Sequence, residues 1–307
     1  MRVGFIGLGT MGKNAAANVR RAGFDMVVHD IRPEAMARLV EQGAVEAHSA
    51  ADVLTACDVV ITMVFGPKEV AEVVRGPQGF LTVDCSGKIW IDMTTSSPFL
   101  MRELAAEFAA RGGQAVDAPV TGSVDAAIRG DMPMFVGGED AVIERVRPVI
   151  EAMGELRKVG AYGNGYVAKL VNNQLWKIHA AAIGEAMVTA KLAGLDPLVW
   201  WEVMKGGAAD SFVLSHDVPS IFAGHYDPSF PIALCLKDLS LIKELMDRVG
   251  TTNTLTEATH ERFREAGRRY GTGAGEMTVC KVVEDDAGID LRVHGDWVKP
   301  WEVQHKE

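Results

Sequence analysis

Hydrophobic positions in the first half of the chain fall in short, nearly unbroken runs. These are Arg2-Val3-Gly4-Phe5-Ile6, Met26-Val27-Val28-His29, Val59-Val60-Ile61-Thr62-Met63-Val64, Ile89-Trp90-Ile91-Asp92, Gln114-Ala115-Val116-Asp117-Ala118 and Met134-Phe135-Val136. Runs of this length, rich in β-branched residues, predict strands buried on both faces. Amphipathic stretches between them, such as 33–42 and 99–111, carry helical spacing. The alternation predicts an α/β domain with a parallel sheet covered by helices on both sides.

From about residue 164 the strand pattern nearly vanishes. Residues 165–193 predict one long helix stopped at Gly194, and Asp196-Pro197 opens the next with Asp at the N-cap and Pro at the first helical position. Further helices are predicted over 233–249 and 256–267. The expected organisation is an α/β domain over 1–163, an all-α domain over 164–290 and a tail over 291–307. The direct join implies rigid coupling and a cleft at the junction.

Composition narrows the function. A chain of 307 residues suits about two domains, and 48% hydrophobic with 23% charged residues is globular. The net charge of −10 argues against nucleic acid or an anionic membrane as partner. No apolar run approaches the ~20 residues of a membrane span. Gly7 and Gly9 leave no room for a signal-peptide core, so a cytoplasmic protein is expected. Cys57, Cys85, Cys235 and Cys280 are scattered without a C-x-x-C pair; they predict reduced, buried thiols and no metal site.

Gly7-Leu8-Gly9-Thr10-Met11-Gly12 is a G-x-G-x-x-G loop between the first strand and a predicted helix, and Asp30 ends the second strand. In that context the motif predicts a Rossmann dinucleotide-binding domain. Gly7 permits the tight turn, Gly9 lets backbone approach a pyrophosphate and Gly12 lets helix and strand pack closely. The helix N-terminus then offers free N–H groups and its positive dipole end. Asp30 accepts hydrogen bonds from ribose hydroxyls and repels a 2′-phosphate, which predicts NAD over NADP. Arg32, beyond Ile31, offers a 2′-phosphate partial compensation.

Three further segments carry candidate chemistry. In Asp92-Met93-Thr94-Thr95-Ser96-Ser97-Pro98, hydroxyls either reach the cofactor or cap the next helix, and Ser97 before Pro98 suits the cap. Asp117-Ala118-Pro119-Val120-Thr121-Gly122-Ser123 follows a strand; it is either an ordinary turn or a donor set for a carboxylate at the sheet's carboxyl edge. Lys169 and Asn173 are four apart on the long helix, with Trp176 continuing that face. They are a solvated lysine and its neighbour, or a proton-transfer pair beside a nicotinamide.

Together these segments resemble the β-hydroxyacid dehydrogenase family, which includes 3-hydroxyisobutyrate dehydrogenase and tartronate semialdehyde reductase. The similarity runs from Val3 to about Gly275. Its motifs are the glycine loop, 117–123, 160–173 and Phe230-Pro231-Ile232-Ala233-Leu234-Cys235-Leu236-Lys237-Asp238-Leu239. The resemblance implies a Rossmann domain, a helical domain and a site between them. It implies that Lys169 is the catalytic acid/base, that Asn173 binds substrate or holds Lys169, and that Thr121-Gly122-Ser123 binds a small-molecule carboxylate substrate. It places Thr95 and Lys237 near the nicotinamide end of the cofactor, and Met63, Val64 and Phe65 against it. The reaction implied is reversible hydride transfer at a hydroxyl-bearing carbon of a short β-hydroxyacid or its semialdehyde.

Lys169 must be neutral to take a hydroxyl proton, and burial or a nearby cation such as Lys237 would lower its pKa from ~10.4 toward ~7–8. An imine reductase of the same architecture and a non-catalytic nucleotide-binding relative are the alternatives; Lys169 with Asn173 argues against the first, and retained Lys169, no added binding module and the net charge of −10 argue against the second. A homodimer or homotetramer is expected.

Several positions depart from the family pattern. Ser123 stands where glycine is usual, Phe65-Gly66 where Leu-Pro is common, and Glu276-Met277 where Lys-Asp or Glu-Asp is common. The tail with Trp297 and Trp301 is additional, and either packs on a neighbouring subunit or is solvated.

Overall fold

The computed structural model describes residues 1–303. The chain forms two compact units, 1–169 and 170–303. The first is built on an eight-stranded sheet: β1 (Arg2–Ile6), β2 (Asp25–His29), β3 (Val45–Glu46), β4 (Val59–Thr62), β5 (Ile89–Asp92), β6 (Gln114–Asp117), β7 (Met132–Gly137) and β8 (Gly154–Gly160). Its order is β3-β2-β1-β4-β5-β6-β7-β8.

Helices α1 (Gly12–Arg21), α2 (Ala37–Glu41), α3 (Ala50–Ala56), α4 (Pro67–Arg75), α5 (Pro98–Ala109), α6 (Ser123–Arg129) and α7 (Asp140–Glu151) flank the sheet. Side chains alternate between its faces, as strand geometry requires. Phe5, Ile61, Ile91 and Val116 pack with α1 and α7, whereas Val60 and Trp90 pack with α3, α4 and α5. On that second side Trp90 meets Phe80 and Phe108 at 6.0 and 5.9 Å, in edge-on geometry. Register aligns Ile6 with His29 and Thr62, and Thr62 with Asp92, which aligns with Asp117. The carboxyl ends of five strands therefore form one edge.

The structure corrects the sequence reading in four places within this unit. The sheet is not wholly parallel: β7 pairs antiparallel to β6 at Asp117–Gly137, because the short α6 turns the chain straight back. Strands β3 and β8 were not expected. Both are sheet edges, and the mostly exposed Gly-Glu-Leu-Arg-Lys-Val-Gly of β8 lacks an apolar run. The 33–42 helix divides into a 3₁₀ turn, Pro33–Ala35, and α2, with Met36 between them buried in the core. Strand β4 stops at Thr62, leaving Met63 and Val64 in the loop beyond it.

Helix α8 (Asn164–Leu192) starts in the first unit and continues into the second. Gly194 follows it with φ +91°. Asp196 caps α9 (Pro197–Met204), accepting from the N–H groups of Leu198 at 2.9 Å and Val199 at 3.1 Å. A π-helical turn, Val213–Asp217, leads into α10 (Val218–Ala223). Then come α11 (Ile232–Val249), α12 (Thr254–Tyr270) and α13 (Thr278–Ala287). The π turn, α10 and α13 were not predicted.

Part of the tail over 291–303 packs on its own unit, while Arg292, His294, Asp296, Val298, Lys299 and Glu302 stay exposed. Leu291 is fully buried, Val293 N–H donates to Phe222 O at 3.2 Å, and Trp297 packs on Phe222 and Trp201 at 5.2 and 5.8 Å. Leu291 and Trp297 gain burial within their own unit. Residues 304–307 lie outside the described residues. Among the described residues, no helix is long and apolar enough to cross a membrane.

Candidate active site

The glycine loop joins β1 to α1 at the carboxyl edge of the sheet. Gly7 has φ +94°, and a Cβ there would run into the carbonyl oxygen of Met63; a Cβ on Gly12 would run into that of Gly7. The fold itself requires both. Gly9 differs, because a Cβ there meets nothing within 4 Å. Packing does not demand glycine at this position, and the open space over the loop, beside the start of α1, fits a pyrophosphate. Thr10 and Met11 complete the turn, with Met11 at the N-cap and Lys13 N–H donating to Gly9 O at 3.1 Å.

Asp30 is buried and turned toward this loop. Its Oδ2 accepts from Leu8 N–H at 2.7 Å; its Oδ1 accepts from Arg32 N–H at 2.9 Å and Nε at 3.4 Å. Ile31 between them is 91% exposed. Met63 N–H donates to Ile6 O at 2.9 Å and Val64 N–H to Thr94 Oγ1 at 3.2 Å, while Phe65 is exposed and Thr95 half-buried. The structure thus gathers residues 7–12, 30–32, 63–65 and 95 at the ends of β1, β2, β4 and β5. Ser97 takes the N-cap position of α5 with Pro98 at its first residue.

The 121–123 turn follows β6. Thr121 N–H donates to Pro133 O at 3.0 Å. Gly122 has φ +101° and Ser123 φ +67°. A left-handed serine costs roughly 1–2 kcal/mol relative to glycine, which explains why glycine suits this position. The Ser123 hydroxyl donates to the Asp125 carboxylate, which Arg129 Nη1 pairs at 2.6 Å.

Two fully buried carboxylates were present in the motifs but had no assigned role. Asp117 Oδ1 accepts from Gly163 N–H at 3.0 Å and Oδ2 from Tyr166 N–H at 3.2 Å, so it caps the start of α8. Asp92 Oδ1 accepts from Thr62 Oγ1 at 2.5 Å; its Oδ2 accepts from Tyr166 OH at 3.0 Å and Thr94 N–H at 3.2 Å. Together they fix Tyr166, three residues before Lys169, to the carboxyl edge. The available signal was an acidic residue ending each of two apolar runs.

Burial pushes Asp92 up to about 7 and Asp117 up to about 6. A carboxyl raised in the fold favours folding below its unfolded value near 3.8 and loses that contribution as pH climbs through the folded value. Asp92→Asn keeps an acceptor without a titrating charge. Its melting temperature should therefore rise relative to the parent between pH 5 and 8, by on the order of 5 °C. A pH-independent difference in thermal melts would remove Asp92 from this role.

In the second unit Asn173 is buried, and its Nδ2 donates to Asp238 Oδ2 at 2.7 Å. Lys237 Nζ pairs with Asp238 Oδ1 at 3.1 Å. Asp238, unassigned from sequence, thus brings Asn173 and Lys237 together. Lys169, Asn173 and Lys177 recur every four residues along one face of α8, with Lys169 half-buried. Trp176 Nε1 donates to Asp217 Oδ2 at 2.9 Å, and burial raises that carboxyl above its ordinary range. Among the described residues, no group of three or more His, Cys, Asp or Glu side chains is placed to hold a metal ion.

Comparison with known proteins covers both units. Residues 2–164 match the NAD binding domain of 6-phosphogluconate dehydrogenase, and residues 163–283 match a domain described as NAD-binding of NADP-dependent 3-hydroxyisobutyrate dehydrogenase. The chain is 33% identical over 285 residues to the 2-hydroxy-3-oxopropionate reductase of Escherichia coli, spanning 92% of this chain and 97% of that protein. It is 36% identical over 247 residues to the 3-hydroxyisobutyrate dehydrogenase of Pseudomonas aeruginosa, spanning 78% and 83%. The solved 3-hydroxyisobutyrate dehydrogenase of Salmonella typhimurium matches with a TM-score of 0.83 at 27% identity, over 92% of this chain and 99% of that one.

Proposed function

The chain belongs to the β-hydroxyacid dehydrogenase family, and from that premise we propose that it is an NAD-preferring enzyme that oxidises a short β-hydroxyacid, or reduces the matching semialdehyde, with Lys169 as acid/base. Its chemistry is that of an oxidoreductase with a nicotinamide dinucleotide cofactor. The observation that carries the finer reading lies within the first unit. Asp92 and Asp117 hold α8 just ahead of Lys169, on the same sheet edge as the glycine loop.

When bound, the cofactor supplies the carbon that accepts or donates hydride. The protein supplies the rest. The 7–12 loop binds the pyrophosphate through backbone N–H groups and the start of α1. Exposed Ile31 and Phe65 offer apolar surface to the cofactor, with Met63 and Val64 beneath the loop and Thr95 toward the nicotinamide end. In oxidation, Lys169 Nζ is neutral and takes the hydroxyl proton; in reduction its ammonium polarises the carbonyl and returns the proton. The 121–123 turn holds the substrate carboxylate through backbone N–H groups, and Asn173 orients the reacting hydroxyl or Lys169.

Cofactor preference rests on Asp30. Its Oδ2 accepts from Leu8 N–H, and a carboxylate oxygen has a second lone pair to offer a ribose hydroxyl. Arg32 is more than half exposed and bonded to Asp30 through Nε, leaving its outer nitrogens for a 2′-phosphate. Asp30→Asn retains an acceptor for Leu8 and removes the repulsion. The ratio of kcat/KM for NAD over NADP should fall roughly 10–100-fold, equivalent to ~1.4–2.7 kcal/mol. An unchanged ratio would exclude Asp30 as the discriminator.

The test of the function is absorbance at 340 nm with NAD and NADP separately, against three- to six-carbon β-hydroxyacids including 3-hydroxyisobutyrate and glycerate. Turnover with NAD supports the reading; cofactor binding with no turnover on any of them counts against it. A homodimer or homotetramer is also proposed, supported by exposed Val171, Leu175, Leu192, Leu198 and Val203 in the helical unit. A monomer by light scattering at micromolar concentration would refute it.

A further inference from the structure

We propose that Lys177 is a positioning residue for the reaction, holding the Asp238 carboxylate that in turn sets which end of the Asn173 amide faces the chemistry. Lys177 is completely buried, so it does not itself meet substrate. Its Nζ lies 3.3 Å from Asp238 Oδ2, the same oxygen that accepts Asn173 Nδ2 at 2.7 Å. The ammonium also stands 4.5 Å from the Trp176 ring centre and 5.5 Å from that of Phe230. Lys237 Nζ reaches the other carboxylate oxygen at 3.1 Å.

A buried ion pair gives little net stability, because desolvation offsets the attraction, and apolar residues of similar volume in place of both partners would fill the space without that cost. Orientation is what such a pair can supply. An anionic oxygen selects the NH₂ end of the Asn173 amide and turns its carbonyl the other way. There Asn172 Nδ2 donates to Asn173 Oδ1 at 3.2 Å, and a carbonyl oxygen has capacity for a second donor. One helical turn from Lys169, that oxygen is an acceptor for a lysine ammonium or a substrate hydroxyl. A flipped amide would present donors to the ammonium instead. The inference rests on the reading that Asn173 works with Lys169.

The test is a double-mutant cycle on the full-length enzyme, using NAD and whichever of 3-hydroxyisobutyrate or glycerate turns over faster. Lys177→Met should lower kcat roughly 10–100-fold at unchanged KM for NAD, as small misplacements of reacting groups do. Lys177→Arg should recover most of the loss. In an Asn173→Ala background, Lys177→Met should cost less than about twofold, because its route of action is gone. Asp238→Asn should behave as Lys177→Met does. An equal loss in both backgrounds would mean a general structural role and overturn the proposal, as would wild-type kcat in Lys177→Met. Failure of both Lys177→Met and Asp238→Asn to fold would assign the pair to stability and overturn it too. Wild-type activity in Asn173→Ala would overturn the underlying reading, a result distinguishable because it needs no substitution at Lys177.

Discussion

Lys169→Ala is expected to lower kcat by roughly 10²–10⁴-fold, the usual range for removing a general acid/base, while NADH still binds. The two halves of that expectation have separate structural grounds. The nucleotide loop is shaped by Gly7 against Met63, Gly12 against Gly7, and Leu8 N–H on Asp30, none of which involves α8. Lys169 stands on a helix whose start is fixed by Asp117 and Asp92, so truncating its side chain leaves the backbone in place. Fluorescence titration with NADH and turnover at 340 nm read the two separately. Turnover within a few-fold of the parent would eliminate Lys169 as the proton carrier. Loss of NADH binding alongside turnover would show instead that the lysine supports the cofactor.

Asp117→Ala should be the most disruptive single change at the site. It strips the acceptor from the N–H groups of Gly163, Gly165 and Tyr166, and each buried donor left unpaired costs ~1–3 kcal/mol. The gain from no longer burying a carboxyl offsets part of this. A net loss of about 2–4 kcal/mol is expected, or roughly 5–15 °C in melting temperature. The deficit should be larger at pH 5 than at pH 8. Asp117 titrates at about 6 in the fold, and its contribution is lost as pH rises through that value. kcat should fall as well, because the turn of α8 ahead of Lys169 loses its anchor. Parental melting temperature and kcat together would show that α8 is held by other means.

The central strands and the nucleotide loop were legible because each depends on residues close in sequence: an apolar run, then three glycines and an acid at fixed offsets. What escaped depends on residues far apart. Asp117 was noticed only as the head of a turn, since its partner Gly163 lies 46 positions later. Lys177 shares a face with Lys169 and Asn173, yet nothing near it announces a buried charge until α11 supplies Asp238, 61 positions on. Strands β3 and β8 were missed for a different reason. An edge strand has no need of apolar residues on both faces, so the run that reveals a central strand is absent. The tail's own packing was not legible because a pair of tryptophans marks apolar surface without saying which surface it meets; here Trp297 meets Trp201 and Phe222.

The composition of β8 bears on how the protein behaves at high concentration. An eight-stranded open sheet ends in a row of backbone groups able to template a strand from another molecule. Here that row is lined by exposed Glu155, Arg157 and Lys158, with Arg157 paired to Glu155 at 2.6 Å and Lys158 to Asp140 at 2.5 Å. An incoming chain would have to desolvate these charges or break the pairs before it could add to the ladder. The same polarity that hid the strand from a pattern reading acts as a gatekeeper against edge-to-edge aggregation.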